Sequence, residues 1–183
     1  QMCIRDSGGG IASKHGILIK GGDVLENAAC VTCIIFDKTG TLTRGVLEVA
    51  DTVVWTDDAV ASGGVDGMLA LAASAETGSE HLVGRAIVAH ANKRGMPLVE
   101  PTDFVTSPGH GLQCRVRGRK VLVGSRAWMA AHGVPVTERA EADMVRAEEA
   151  GCTAILVANE AASTGKGDGL ALLGMISVSD SLK

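Results

Sequence analysis

The chain has 183 residues, 46% of them hydrophobic, enough to bury one domain-sized core or a small domain with pieces of another. Its 17 Lys and Arg face 21 Asp and Glu for a net charge of −4, with no basic cluster; aromatic residues are 2% with no Tyr, so nucleic acid is not an expected partner. Five scattered cysteines do not make a disulfide framework, and no apolar run approaches the roughly 20 residues of a membrane helix, so the segment reads as soluble and from a reducing compartment.

In chain order, residues 1–7, "QMCIRDS", show neither periodicity nor capping and are read as a non-native or artefactual start. From His15 follow a short apolar patch, a Gly21-Gly22 turn and a short helix with Asp23 as N-cap. "VTCIIF", Val31 to Phe36, is apolar on both alternating faces, as in a parallel strand covered by helices on both sides. "VLEVADTVVW" alternates as a half-exposed strand. "VDGMLALAASAE" and "SEHLVGRAIVAHANKRG" have helical spacing, the second running from Ser79 as N-cap to Gly95 as C-cap. Three short strands follow in "DFVTSP", "GLQCRVRG" and "RKVLVG", with Gly118 in a hairpin turn. "SRAWMAAHG" and "TERAEADMVRAEEAG" read as capped helices ending at glycines; "TAILVANE" and "LALLGMISVSD" read as strands joined by the polar loop "AASTGKGDG".

This order predicts an α/β chain in which an α+β block is inserted between two strands of one parallel sheet, the first ending at Asp37 and the last at Asp180. The ligand crevice of such sheets lies at the carboxyl ends of the strands, which places Asp37 where chemistry is expected. A carboxylate there can bind a metal, act as a base or attack as a nucleophile. Its neighbours favour attack on phosphorus: Gly40 permits a tight turn, the backbone N–H groups after Asp37 can form an anion nest, and Lys38 and the nearby threonines add donors without negative charge.

"DKTGTLT", Asp37 to Thr43, resembles the phosphorylation signature of P-type ATPases, cation pumps that pass through an aspartyl-phosphate. The resemblance implies a partial haloacid-dehalogenase-like (Rossmann-like) phosphorylation domain. It implies Asp37 as the nucleophile for the γ-phosphoryl of ATP, Lys38 beside it, and Thr39 contacting the phosphate; Asp37 and the Thr39 carbonyl would hold Mg²⁺. Related soluble phosphatases carry a second aspartate at the position of Thr39, where a hydroxyl activates water poorly and lets the acyl-phosphate persist.

The inserted block resembles the nucleotide-binding domain of the heavy-metal branch, an antiparallel sheet flanked by helices. "SEHLVGRAI" is similar to that branch's Ser-Glu-His-Pro-Leu helix start, with Leu82 in place of Pro, and "SPGHGLQCRV" to its Gly-x-Gly loop. "HGILIKGGDVLE" fits the segment leading into the phosphorylation domain. The resemblance implies an ATP pocket in which Glu76 accepts from the adenine amino group and His81 lies beside the purine. Gly109, Gly111 and Gly124 line the same pocket, and Ser125 replaces the usual Asn. Glycines lack Cβ and let backbone approach a flat ring or ribose.

"TGKGDG" has Gly167 where a phosphate loop requires Ser or Thr, and is read as a hairpin loop. Cys30-x-x-Cys33 lacks a second pair, and Cys33 is read as a small hydrophobe in its strand. The expected organisation is a lead-in and first phosphorylation-domain strand over 8–45, a nucleotide-binding domain over 46–172 and a returning strand over 173–183. The expected whole is a membrane pump for a heavy-metal cation, Cu⁺ first, this segment being cytosolic; Zn²⁺ or Cd²⁺ transport and a soluble phosphatase are the alternatives. Because the carboxylates and lysine that such pumps use later in the chain are not in these residues, nucleotide binding without aspartyl-phosphate formation is expected of the segment alone.

Overall fold

A computed structural model describes residues 2–36, 43–55, 63–160 and 169–182. Asp37, Lys38, Thr39 and the "TGKGDG" loop as far as Asp168 lie outside the described residues. The chain divides into two compact units, residues 1–37 and 38–183.

The first unit holds helix α1 (Met2–Lys14) and helix α2 (Gly22–Ala28). Regular helix therefore runs through part of the stretch read as an artefactual start. Gly21, at φ +106, is the N-cap of α2 without a side-chain bond. Asp23 lies inside the first turn, where a carboxylate still faces the positive end of the helix. Residues 31–36, expected as a buried parallel strand, have no ladder partner among the described residues, and Ile35 is 93% exposed. A strand needs a neighbour to accept its N–H groups, and apolar sequence alone does not supply one.

The second unit is built on a six-stranded sheet in the order β1-β6-β5-β4-β3-β2, antiparallel at each described pairing. Its strands are β1 (Thr43–Val54), β2 (Thr102–Ser107), β3 (Gly111–Val116), β4 (Arg119–Gly124), β5 (Thr153–Glu160) and β6 (Leu170–Leu182). The β3–β4 hairpin closes through Arg117 and Gly118, both at positive φ (52 and 79), the two-residue turn whose twist suits a hairpin. β6, expected to return to a parallel sheet, instead lies between β1 and β5, antiparallel to both.

Helices cover both faces. On one, α3 (Gly64–Glu76) and α4 (Leu82–Lys93) bury Met68, Leu69, Ala72, Val83 and Ile87 against Leu112, Cys114, Val121, Val123 and Ile176. On the other, α5 (Arg126–Ala131) and α6 (Glu138–Glu149) bury Met129, Ala140 and Met144 against Leu122, Leu156, Ala158 and Met175. At the register shift between Val157 and Ala158 the alternation of β6 reverses, so Leu173 and Met175, two residues apart, lie in opposite cores. Next to it, a Cβ on Gly174 would strike the Val53 carbonyl oxygen and lie 2.7 Å from the Met68 sulfur, so only glycine lets β1 and α3 close on β6.

Three of these helices start with a side-chain acceptor on an early N–H group. Ser125 accepts from Trp128 N–H and Thr137 from Ala140 N–H, as expected. At α4 the cap is His81, whose Nδ1 accepts from Val83 N–H at 3.3 Å; Ser79, expected as the cap, accepts from His81 N–H one step earlier. Gly95, Gly133 and Gly151 follow their helices at φ +68 to +80, the left-handed stops read from the sequence.

Candidate functional site

Five residues singled out from the sequence, Glu76, His81, Gly109, Gly111 and Gly124, line a single cleft of about 540 Å³. They arrive from three places: the C-terminus of α3 with the link to α4, the β2–β3 turn, and the end of β4. Burial of the α3 and α4 faces fixes the first group, because Ala75 and Val83 on either side of the link are both in the core. The link is tight: Thr77 Oγ1 donates to Ser74 O at 2.8 Å and Ser79 N–H to Glu76 O at 2.9 Å.

Glu76 is only 7% exposed, and its Oε2 has no hydrogen-bond partner. Burial raises the carboxyl above its ordinary value, while the hydrogen bond with Ser79 and the nearby His81 pull it back. Gly84, on the first turns of α4, makes the space: a Cβ there would collide with Oε2, lie 2.9 Å from the Glu76 Cδ and 3.0 Å from Ser79 Oγ. A buried carboxylate oxygen without a donor is costly unless something brings one. His81 is exposed beside it, and the proton must sit on Nε2 while Nδ1 caps α4.

The glycines have local structural duties. Gly109, at φ +77 after Pro108, forms with Ser107 and His110 a turn closed by His110 N–H to Ser107 O at 3.0 Å. That Pro-Gly pattern suits a type II turn. Gly111 and Gly124 face each other across β3 and β4. A Cβ on either would come within 2.6 or 2.8 Å of the Trp128 Cδ1, and Gly124 would also meet the His110 carbonyl oxygen at 2.5 Å. Trp128 is held in place by its indole N–H on Leu112 O at 3.0 Å, with the His132 ring centroid 4.2 Å away. The flat ring that these glycines admit in this structure is thus the protein's own indole.

Arg126, Glu148 and Cys152 line the other wall. Arg126 binds Glu148 through two bonds of 2.6 and 3.0 Å and Glu141 at 2.9 Å. The paired guanidinium lowers the Glu148 carboxyl from its ordinary value. Sequence reasoning missed Gly84, Trp128, Arg126 and Cys152 as parts of the site. A signal existed for Gly84, because glycine inside a helix costs about 1 kcal/mol and calls for a packing reason. Among the described residues, no group of three or more His, Cys, Asp or Glu could hold a metal ion, and no helix is long and apolar enough to cross a membrane.

The sequence matches the haloacid dehalogenase-like hydrolase family over residues 31–183. It is 36% identical over 178 residues to a protein of Oryza sativa subsp. japonica named copper-transporting ATPase HMA5; the match takes in 95% of this chain and 16% of that protein's length. Among solved structures, a zinc-transporting PIB-type ATPase in an E2.Pi state superposes with a TM-score of 0.72 at 30% identity, over 98% of this chain and 26% of that one. The N-domain of HMA8, a copper-transporting P-type ATPase, superposes with a TM-score of 0.52 at 26% identity, over 72% of this chain and 99% of that one.

Proposed function

Because the chain belongs to the haloacid dehalogenase-like hydrolase family, in its P1B-type ATPase branch, we propose that the cleft on its antiparallel sheet binds ATP and that Asp37 is the acceptor of the γ-phosphoryl group. The observation that carries this reading is Glu76: a carboxylate 7% exposed, with one oxygen unpartnered, on the wall of a cleft large enough for a nucleoside. An exocyclic amino group supplies the missing donor. His81, exposed one short turn away, offers its ring edge or face to the purine. Gly109, Gly111 and Gly124 line the wall, and the last two seat Trp128.

Asp37, Lys38 and Thr39 lie outside the described residues, and their roles rest on the motif. The donor set of a carboxylate and a threonine carbonyl suits a hard cation such as Mg²⁺, which neutralises phosphate charge when bound. Thr39, where a soluble phosphatase would carry an acid/base carboxylate, favours a persistent acyl-phosphate. The domain boundaries that accompany this reading are a lead-in over 8–45 and a nucleotide-binding domain from 46; β6 extends that domain past residue 172. In the whole protein, ATP hydrolysis through aspartyl-phosphate drives transport of a heavy-metal cation. Copper(I) is the first choice because the relative from Oryza is named for copper. Zinc is the second reading, favoured by the zinc-transporting structural neighbour.

Calorimetric titration of ATP into the chain and into His81→Gln tests the site. Binding in the range of about 0.1–1 mM, or roughly −4 to −5.5 kcal/mol, is expected, and weakened in the variant. Equal affinities would remove His81 from the cleft's function; no heat in either would remove ATP.

A further inference from the structure

Two thiols near Glu76 have opposite surroundings. Cys114, on β3, is 1% exposed, and burial, reinforced by the charge of Glu76, pushes its thiol up to about 11. It is a core side chain with almost no thiolate at neutral pH. Cys152 follows α6 through the left-handed Gly151, its N–H fixed on Ala147 O at 3.0 Å. Its thiol is free, half-buried, and on the cleft wall with Glu148 and Thr153. The cleft is marked independently as a ligand site by the buried, unpartnered Oε2 of Glu76. A group added to Cys152 and a ligand at Glu76 therefore draw on the same 540 Å³.

We infer that Cys152 is a thiolation site that controls occupancy of the cleft: a small disulfide of the glutathione class caps it and excludes the nucleotide, and bound nucleotide shields it. The inference rests on the reading of the cleft as a nucleotide site. In the reaction Cys152 Sγ, its proton lost to solvent, attacks one sulfur of the disulfide. The disulfide S–S bond breaks as the Cys152–S–S bond forms, and the second half leaves as a thiolate that takes up a proton. The protein sulfur is oxidised and the departing half reduced, so no further oxidant is needed. A thiol reductant reverses the step.

The test incubates the chain with glutathione disulfide at pH 8, with and without saturating ATP, and reads each cysteine by peptide mass mapping; calorimetry on the same preparations measures ATP binding. Expected results are thiolation of Cys152 but not Cys114, at least fivefold slower with ATP, and at least a tenfold loss of ATP affinity in the modified chain, restored by dithiothreitol. In Cys152→Ser the same treatment should leave ATP affinity where it was, the values before and after agreeing within about threefold. ATP binding without protection of Cys152, or a thiolated chain that binds ATP as well as the free one, overturns the inference and leaves the nucleotide reading intact. Absence of ATP binding in the reduced, unmodified chain overturns both.

Discussion

The carboxylate of Glu76 occupies the space that a side chain at Gly84 would take: Oε2 would clash with the Cβ, and Cδ is 2.9 Å from it. Gly84→Ala therefore sets two effects against each other. Alanine in the helix interior stabilises α4 by about 0.5–1 kcal/mol. The same methyl evicts the carboxylate, which can swing because it ends a flexible side chain. Thermal stability equal to or above the parent's is expected, together with roughly tenfold weaker ATP binding, about 1.4 kcal/mol. Melting curves paired with calorimetry check this; unchanged affinity would show that the position of Glu76 is irrelevant to the ligand.

Glu76 also imposes a pH dependence. Its folded carboxyl titrates above the ordinary value of 4.5, chiefly because burial disfavours the charged form. Its favourable contribution is therefore complete below 4.5 and is lost as pH rises through the raised folded value. Glu76→Gln should be more stable than the parent at neutral pH by about 1–3 kcal/mol, because the amide carries no charge into the buried position. The difference should shrink toward pH 4. Denaturant unfolding at pH 4 and 7 measures it, and a constant difference would mean that Glu76 ionises as freely folded as unfolded.

Gly124→Ala tests the packing of Trp128. The added Cβ would sit 2.5 Å from the His110 carbonyl oxygen and 2.8 Å from the indole Cδ1, and backbone on both strands resists the shift. A loss of about 3 kcal/mol is expected, or roughly 10 °C in Tm for a domain of this size. Trp128 emission should move to longer wavelength as the indole leaves its seat. A variant that melts with the parent would place the strain elsewhere.

Arg126→Ala removes the cation shared by Glu141 and Glu148. The lowered folded carboxyl of Glu148 contributes stability that is present above 4.5 and lost as pH falls through its folded value. These side chains are substantially exposed, 34% for Arg126 and 43% for Glu148, so solvent screening limits the loss at pH 7 to about 1 kcal/mol or less. The difference from the parent should fade at pH 3 and in 1 M salt. A loss that persists under both conditions would point to packing of the Arg126 stem instead of charge.

Much of the second unit was legible because its signals are local. The short strands β3 and β4, the hairpin turn at Gly118, and the capped helices that start at Ser125 and Thr137 depend on neighbouring residues and read correctly. What failed depends on partners far along the chain. β6 is apolar on both faces, which states that it is covered on both sides but not by which sheet; an interior antiparallel strand between two helical layers has the same pattern as a parallel one. Residues 31–36 carry that pattern too, and the described residues include no neighbouring strand that tests it. At α4 both Ser79 and His81 have acceptor side chains before the helix, and only the path of the link from Glu76 decides that His81 caps it. For the cleft, the motif positions were readable, yet the role of Gly111 and Gly124 as a seat for Trp128 required the register of β3 on β4.

The pairing of Thr43 with Leu182 has a mechanical consequence. The first and last strands of the six-stranded sheet are neighbours whose outer ends meet, so the sheet is gripped at one point by a two-stranded ribbon. Such a ribbon resists stretching along its hydrogen-bonded strands but yields to torsion, since twist is its natural deformation. A pull applied at residues 43 and 182 therefore loads the β1–β6 ladder at its Thr43–Leu182 end before it reaches the strands that carry the Glu76 cleft.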